Sequence, residues 1–226
     1  TLLRLMSGLE TPMSGECLFD GLRVERPPSK LRYSFQDFDA FPWRTVRENL
    51  QYFIKRNTWS RIFNLFGRKI QLDSSVAAED RVGKVIEEVG LSGHHEKYPS
   101  ELSGGMKKRL ALGRCIVGEP SAVLLDEPFS SLDYVAKEAL HMLLMTFSKE
   151  RKCAFVIITH DVDEAVFLSS RIIISTPLPF SIAKTIEVPF SYPRSPNIRA
   201  SSEFESICME VRNTLASNQH ETLGSR

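Results

Sequence analysis

The sequence predicts an α/β fold, in which a mostly parallel sheet carries an inserted group of helices. Two segments, SAVLLDE and CAFVIITHD, are short apolar runs rich in Val and Ile. Such runs are typical of strands buried on both faces of a parallel sheet. Residues Tyr134 to Lys149 between them have a helical pattern and supply a right-handed crossover. Residues 50–115 are predicted to be mainly helical and to form the insertion.

The first segment, TLLRLMSGLE, has the apolar spacing of a helix that enters a core. Only Thr1 is available to cap the helix, so we expect either a frayed true terminus or a helix whose beginning has been removed. Two further pieces, SGECLFDG and LRYSFQD, have the turn chemistry of short strands. The segment SVAAEDRVGKVIEEVG predicts a helix that ends at Gly90.

Residues 176–226 form a C-terminal extension with five prolines and then a last helix. Proline at this density is compatible with an edge strand but excludes a central one. The last ten or so residues are predicted to be disordered.

Composition indicates one large domain over residues 1–226, with 42% hydrophobic and 25% charged residues. A net charge of +1 argues against a polyanion-binding surface over the whole molecule, so no nucleic-acid partner is expected, although local basic patches are compatible with this charge. The cysteines form no CxxC pair, which favours a reducing cytosol. No apolar run approaches the roughly 18 residues of a membrane span, and no secretory signal is recognised.

Polar side chains follow the predicted strands where ligands of α/β folds collect. Asp126 and Glu127 end one strand, where an acid can hold Mg²⁺ through water and its neighbour can orient an attacking water. The alternative is a pair of exposed loop acids. His160 ends the next strand and could hydrogen-bond a terminal phosphate, although a structural histidine is the commoner case. Gln36 follows a short strand, where a solvated glutamine is the usual interpretation.

A glycine turn precedes another predicted helix in ELSGGMKKRLALGRC. Ser103, Gly104 and Gly105 bring backbone N–H groups to the beginning of this helix, where phosphate binds readily. The alternative is a serine cap with a glycine turn and no ligand.

Together these segments resemble the nucleotide-binding subunits of ABC transporters, over residues Thr1 to about Leu215. LSGGM matches the family signature, LLDEP the Walker B strand with its catalytic glutamate, and SSLD the D-loop that ends at Asp133. Gln36 matches the Q-loop glutamine and His160 the switch histidine. The resemblance implies a P-loop NTPase-like fold, ATP and Mg²⁺ as ligands, and transport-coupled hydrolysis.

The resemblance also implies a role for each matching residue. Asp126 and Gln36 would hold Mg²⁺, and Glu127 would polarise the attacking water. His160 and Gln36 would sense the γ-phosphate. The signature Ser103, Gly104 and Gly105, with Asp133 nearby, would contact nucleotide across a subunit interface.

Family members carry a phosphate loop, G-x-x-x-x-G-K-[ST], which commonly runs into a helix that reads T-L-L-R. The 226 residues contain no such loop, although they begin with TLLR. We therefore expect a chain truncated at its amino end and inactive alone. The alternative is a non-hydrolysing partner that donates only the signature motif to a heterodimer.

Three segments have sequences that resemble importer ATPases of the nitrate, sulfonate and taurine type: QDFDAFPWRTVRENL, HDVDEAVFLSS and the C-terminal extension. The resemblance implies a homodimer or heterodimer of ATPase subunits on the cytoplasmic face of the membrane. Permease subunits are direct partners, and a substrate-binding protein is an indirect one. The aromatic residues Phe38, Phe41 and Trp43 are expected either to dock a permease helix or to pack inside.

The stretch IKRNTWSRIFNLFGRKIQL predicts a basic amphipathic helix with an apolar stripe at Trp59, Ile62, Phe63, Phe66 and Ile70. Such a helix either packs into the helical subdomain or lies on an anionic membrane surface. The transported compound cannot be derived from these residues.

Overall fold

A computed structural model of the chain describes residues 1–34, 40–63, 75–176 and 180–223, with the side chains of 55–63, 75–76 and 219–223 left undescribed. The chain divides into two compact units, Thr1–Ile158 and Thr159–Arg226. Each unit is described by itself.

A parallel three-stranded sheet forms the centre of the first unit, in the order β3, β4, β5. In register, Tyr33 lies opposite Leu124, which in turn lies opposite Val156. Leu3 of the first helix packs on this sheet with Leu31, Ala122 and Leu124. The strands are β3 (Leu31–Ser34), β4 (Ala122–Asp126) and β5 (Ala154–Ile158).

The strands β4 and β5, which the sequence predicts to be equally buried, differ in their burial. Residues 122–125 of β4 are buried, which confirms the prediction of a strand covered on both faces. The same prediction is wrong for β5, whose central residues are half-buried and whose ends are exposed. The physical reason is position, since among the strands that the structure describes β4 lies between two others and β5 has a neighbour on one side only.

Helices follow each other between β3 and β4, as the sequence predicts. Gly113 of the third of these helices has no Cβ, and an added one would lie 3.2 Å from Leu50 Cδ2 and 3.4 Å from Val85 Cγ1. This close approach lets the three helices pack around buried Val82, Val85 and Ile86. The helices of this region are α2 (Val46–Phe63), α3 (Ser75–Glu88) and α4 (Gly104–Ile116), with a 3₁₀ turn at Pro99–Glu101.

The amino-terminal part contains a short helix, α1 (Leu2–Met6), and an antiparallel pair, β1 (Leu18–Phe19) and β2 (Leu22–Arg23). Thr1 occupies the N-cap of α1 but makes no side-chain capping bond. α5 (Tyr134–Arg151) connects β4 to β5, close to the bounds expected from the sequence.

The second unit contains an antiparallel pair, β6 (Arg171–Ser175) and β7 (Ile182–Glu187), as the proline-rich tail allows. Its other elements are α6 (Val162–Leu168), a 3₁₀ turn at Pro196–Ala200 and α7 (Ser202–Leu223).

The structure continues α7 to Leu223, where the sequence predicts about ten disordered residues. The buried side chains of Phe204, Cys208 and Val211 explain why its first half is helical. Within the described residues, no helix is long and apolar enough to cross a membrane.

Candidate nucleotide-contacting site

Asp126 is the last residue of β4, so the buried strand fixes the position of its carboxylate at the carboxyl edge of the sheet. The hydroxyl of Tyr33 on the neighbouring strand β3 donates to Asp126 Oδ2 at 3.4 Å. Tyr33 is a site neighbour that sequence reasoning missed, although its strand had been recognised. The alternation of β3 could have indicated it, because parallel strands in register bring their ends together.

Glu127 adopts a left-handed backbone conformation, with φ of 44°. Few non-glycine residues adopt this region, so the surrounding contacts must hold it. The N–H of Glu127 donates to the carbonyl of Ile158 at 3.0 Å. The carbonyl of Glu127 accepts from the N–H of Ser130 at 3.2 Å and from its hydroxyl at 2.9 Å. Glu127 therefore leaves the strand in a tight turn that sets the direction of its side chain.

The buried side chain of Phe129 holds this turn against α5. Its ring is buried and packs edge-to-face against the imidazole of His141 on α5, with 4.4 Å between ring centroids. Such an aromatic contact adds to the burial of the ring itself. The turn that carries Glu127 is thus attached to both the sheet and α5.

The signature residues begin α4, as the sequence predicts. Ser103 is the N-cap of α4, and its Oγ accepts from the N–H of Met106 at 3.3 Å. A hydroxyl that accepts one bond can still donate another, so the cap and a phosphate contact are compatible. Ser103 and Gly104 are exposed, and a Cβ added at Gly104 would meet no atom within 4 Å.

Lys108 connects α4 to the turn after Glu127. Its ammonium lies 3.5 Å from the Oγ of Ser130, and its side chain is largely buried. Ser130 in turn donates to the carbonyl of Glu127. Sequence reasoning missed Lys108, because a lysine near a helix start is usually a solvated charge.

Asp133 is the N-cap of α5, where its Oδ1 accepts from the N–H of Ala136 at 2.9 Å. The residue is exposed. Its predicted contact with nucleotide stays a prediction, and the capping bond explains its position in SSLD by local structure.

His160 belongs to the second unit and is exposed. It precedes Asp161, whose carboxylate caps α6 by accepting from the N–H groups of Asp163 and Glu164 at 3.0 and 3.2 Å. The contact predicted for His160 stays a prediction. Gln36 and Phe38 lie outside the described residues.

The donor set at β4 fits Mg²⁺ held jointly with a nucleotide. Asp126 offers a hard carboxylate oxygen at a partly exposed strand end. Among the described residues, no group of three or more His, Cys, Asp or Glu could hold a metal ion. At such magnesium sites the protein usually supplies one or two carboxylates, and phosphate oxygens and waters complete the coordination.

An aromatic cluster follows the Q-loop segment. Phe41 lies 4.8 Å from Tyr52 and 6.5 Å from Phe53 between ring centroids, and the guanidinium of Arg114 lies 5.1 Å from the Phe41 ring. Trp43 stays 70% exposed. Phe41, Tyr52 and Phe53 are half-buried against one another, while Trp43 is available for contact.

Burial changes the pKa of several groups away from the site. It raises the pKa of the Cys153 and Cys208 thiols to about 11. It also lowers the pKa of the Arg194 guanidinium and raises that of the Tyr192 hydroxyl. These cysteines are poor nucleophiles, because the thiolate is the reactive form.

A cavity of about 640 Å³ lies elsewhere in the first unit, between α3, the end of α4 and α5. Arg81, Lys84 and Arg151 line it, and they are balanced by Asp80, Glu119 and nearby Glu88, which pairs with Arg151 at 2.5 Å. The cavity is therefore close to neutral and does not contain the predicted site residues, so we do not assign the nucleotide to it.

Comparison with known proteins identifies the family. The ABC transporter family model matches residues 1–130, more than half of the chain. The chain belongs to the ABC transporter family. The aliphatic sulfonates import ATP-binding protein SsuB of Bacillus cereus is 36% identical over 211 residues, covering 93% of this chain and 76% of that protein.

Two further relatives place this ABC protein among importer subunits. The nitrate import ATP-binding protein NrtD of Synechocystis is 39% identical over 188 residues, covering 83% of this chain and 65% of that protein. SsuB of Bacillus subtilis is 32% identical over 211 residues, covering 93% and 75%. The predicted resemblance to importers of the nitrate and sulfonate type is confirmed.

A solved structure confirms the fold. The dimeric post-hydrolysis state of the ATP-binding cassette MJ0796, bound to ADP and phosphate, superposes with a TM-score of 0.64 at 23% identity, covering 84% of this chain and 80% of that one. The α/β ABC ATPase fold with a parallel sheet, predicted from the sequence, is therefore correct.

Proposed function

We propose that this chain is the ATP-binding and ATP-hydrolysing subunit of an importer for a small oxyanion, of the sulfonate or nitrate type. The observation that carries the proposal is the left-handed turn at Glu127, directly after Asp126 at the end of β4. Backbone strain of this kind is typical of functional sites. The names of the relatives support the substrate class, and residues 1–226 would act as one ABC domain.

In the proposed mechanism each site residue has one task. Asp126 holds Mg²⁺, which neutralises developing phosphate charge when bound. Glu127 orients and polarises the attacking water as the general base. Gln36 would also hold the Mg²⁺, and His160 would hydrogen-bond the γ-phosphate.

The signature side acts on the nucleotide of a second ATPase subunit. The exposed hydroxyl of Ser103 and the N–H groups of Gly104 and Gly105 stand at the beginning of α4, where the helix dipole favours phosphate. Asp133 borders the same interface. This arrangement requires a homodimer or heterodimer, and the dimeric state of the MJ0796 structure supports it.

These 226 residues contain no G-x-x-x-x-G-K-[ST] segment. We propose that the chain alone does not hydrolyse ATP. The second candidate function, a partner that only donates its signature motif, is favoured by the same observation. The structured turn around Glu127 favours the first candidate, since a mere donor has no use for it.

Docking to the permease is proposed at the aromatic cluster, with exposed Trp43 as the contact residue. This contact would hold the subunit at the cytoplasmic face of the membrane as a peripheral protein. Tyr52 and Phe53 of the proposed helical subdomain, residues 50–115, complete the cluster that begins at Phe41 and Trp43. The apolar stripe from Trp59 to Ile70 of the predicted basic helix lies outside the described side chains, so its membrane contact stays a prediction.

Gly104→Ala tests the proposed signature contact. A Cβ at Gly104 meets nothing within 4 Å in this chain, so the variant should fold normally and clash only with a bound phosphate. Gly83→Ala on α3 is the matched control, because its Cβ also meets nothing within 4 Å. In a complex with an ABC subunit that has an intact phosphate loop, Gly104→Ala should reduce ATP hydrolysis at least about tenfold, a loss of about 1.4 kcal/mol.

The control should leave hydrolysis unchanged in the same complex. Equal rates for Gly104→Ala and wild type would contradict a contact between the signature residues and nucleotide. Thermal unfolding of both variants shows whether each is folded, and we expect neither to be destabilised, since alanine is the better helix former.

A further inference from the structure

The residues on either side of His160, Thr159 and Asp161, are joined by a hydrogen bond. The hydroxyl of Thr159 donates to Glu164 Oε2 at 2.6 Å, and the N–H of Asp161 donates to Thr159 Oγ1 at 3.1 Å. The Thr159 hydroxyl thus donates and accepts at once. The backbone on both sides of His160 is attached through it to a single carboxylate, that of Glu164.

Glu164 is itself fixed in α6. Its side chain is buried, with 5% exposure, and its N–H donates to Asp161 Oδ1 at 3.2 Å. A hydrogen bond from a hydroxyl to a buried carboxylate is short and strong. Glu164 therefore forms a firm support beside an exposed histidine.

The far end of α6 is also held. The guanidinium of Arg194 is buried and donates to the carbonyls of Val166 and Phe167 at 2.8 Å, and to that of Ser169 at 3.0 Å. These are carbonyls of the last turn, which have no partner within a helix. Because α6 has only seven residues, bonds at both ends fix it as one rigid support.

We propose that Glu164 is a positioning residue that acts through the Thr159 hydroxyl to hold the backbone of His160 in one conformation. This inference deepens the proposed function, because it rests on a contact between His160 and the γ-phosphate. A fixed backbone presents the imidazole in a limited range of directions, so less order has to be gained when the transition state forms. Glu164 does not itself touch the nucleotide in this proposal.

The backbone order of residue 160 in the 226-residue chain tests the proposal without any need for activity. The measurement is the ¹⁵N order parameter of the His160 amide. The signal of this amide is assigned by comparison with the spectrum of His160→Gln, in which it changes position. In wild type we expect about 0.85, the value of a rigid backbone. In Thr159→Val and in Glu164→Ala it should fall below about 0.6, while the amides of Val166 and Phe167 stay rigid.

Two controls separate positioning from a general structural role. Glu164→Gln keeps an oxygen acceptor for the Thr159 hydroxyl and should restore the order of residue 160. Ser169→Ala removes a hydroxyl at the other end of α6, one that donates to the Ala165 carbonyl at 2.5 Å, and should leave residue 160 unchanged. An unchanged order parameter in Thr159→Val and Glu164→Ala overturns the proposal, as does equal loss of order along all of α6.

Kinetics of the assembled complex then separates this proposal from the proposed function. Thr159→Val should lower kcat with KM for ATP unchanged, because only the transition state needs the histidine in place. If His160→Ala retains wild-type kcat, the role proposed for His160 is wrong, whatever the order parameters show. If His160→Ala loses activity and Thr159→Val does not, only the positioning role of Glu164 is wrong.

Discussion

Left-handed backbone positions occur at both glycine and non-glycine residues of this chain, and the two kinds have different causes. Glu127 adopts φ of 44° because its N–H and carbonyl are bonded to Ile158 and Ser130. Gly8 and Gly15 have φ values of +73° and +76°, which a glycine adopts readily because it has no side chain to restrict it. Asp20, Glu119, Ser131 and Lys152 also have positive φ, so a left-handed backbone is not unique to Glu127; what sets Glu127 apart is its position directly after Asp126 at the end of β4.

Gly8→Ala and Gly15→Ala separate backbone strain from steric overlap. A Cβ at Gly8 would lie 2.7 Å from Val24 Cγ1 and 2.8 Å from the carbonyl carbon of Arg26, whereas at Gly15 it meets nothing within 4 Å. We expect Gly15→Ala to lower the free energy of unfolding by about 1 kcal/mol from conformation alone. Gly8→Ala should lower it by about 3 kcal/mol, since overlap is added.

Urea denaturation of the two variants measures this difference through the transition midpoint. Both substitutions add the same methyl group at the same kind of backbone position, so each is the control for the other. Equal losses of stability would show that the segment with Val24 and Arg26 moves away at no cost, against the packing described here.

At the scale of elements, α6 depends on a residue distant in the chain. Arg194 follows β7 in sequence, yet its guanidinium reaches the last carbonyls of α6 and the carbonyl of Phe190. The centroid of the Tyr192 ring lies 4.4 Å from the guanidinium carbon of Arg194. The Tyr192 hydroxyl donates to the carbonyl of Leu168. The proline-rich tail is thus attached to α6 by side chains.

Arg194→Met should destabilise this attachment. Methionine fills similar volume but leaves buried carbonyl groups without donors, so we expect the free energy of unfolding to fall by about 2–4 kcal/mol. Arg171→Met is the matched control, because Arg171 forms an exposed ion pair with Glu187 at 2.7 Å. That pair should contribute less than about 1 kcal/mol.

Hydrogen exchange of α6 and tail amides measures the local effect directly. Faster exchange in Arg194→Met with no change in Arg171→Met is the expected result. The interpretation is wrong if the two variants exchange alike.

Sequence periodicity predicted the elements well where burial is one-sided or complete. The run AVLLD predicted β4, and Ser103 predicted the beginning of α4. The half-exposed state of β5 could not be predicted, because an apolar run does not say which strand is at the edge of a sheet.

Long-range side-chain bonds were also beyond the sequence. Lys108, Tyr33 and Arg194 reach partners that are 22, 93 and up to 28 residues away in the chain. No local pattern records such contacts, because packing between elements determines them. The positions of Asp126, Glu127 and Ser103 were predictable, since each is fixed by the end of its own element.

At the scale of the whole molecule, one chain carries both sets of proposed nucleotide-contacting residues. The end of β4 carries the proposed hydrolytic residues, and the start of α4 carries the signature residues that we propose to contact the nucleotide of a second subunit. Lys108 and Ser130 connect these two sides within the first unit. The proposed transport function requires that both sides work, whereas a signature donor requires only one.

ATP hydrolysis, measured for this chain and for the chain joined at its amino end to a phosphate-loop segment, decides between the two. Each is compared with Glu127→Gln, and Glu150→Gln is the matched control, because Glu150 is an exposed residue near the end of α5. We predict turnover only in the joined chain, reduced at least about 100-fold by Glu127→Gln and unaffected by Glu150→Gln. Turnover that persists in Glu127→Gln, or a joined chain that binds ATP without hydrolysing it, would contradict the proposal that Glu127 makes this subunit a hydrolytic one.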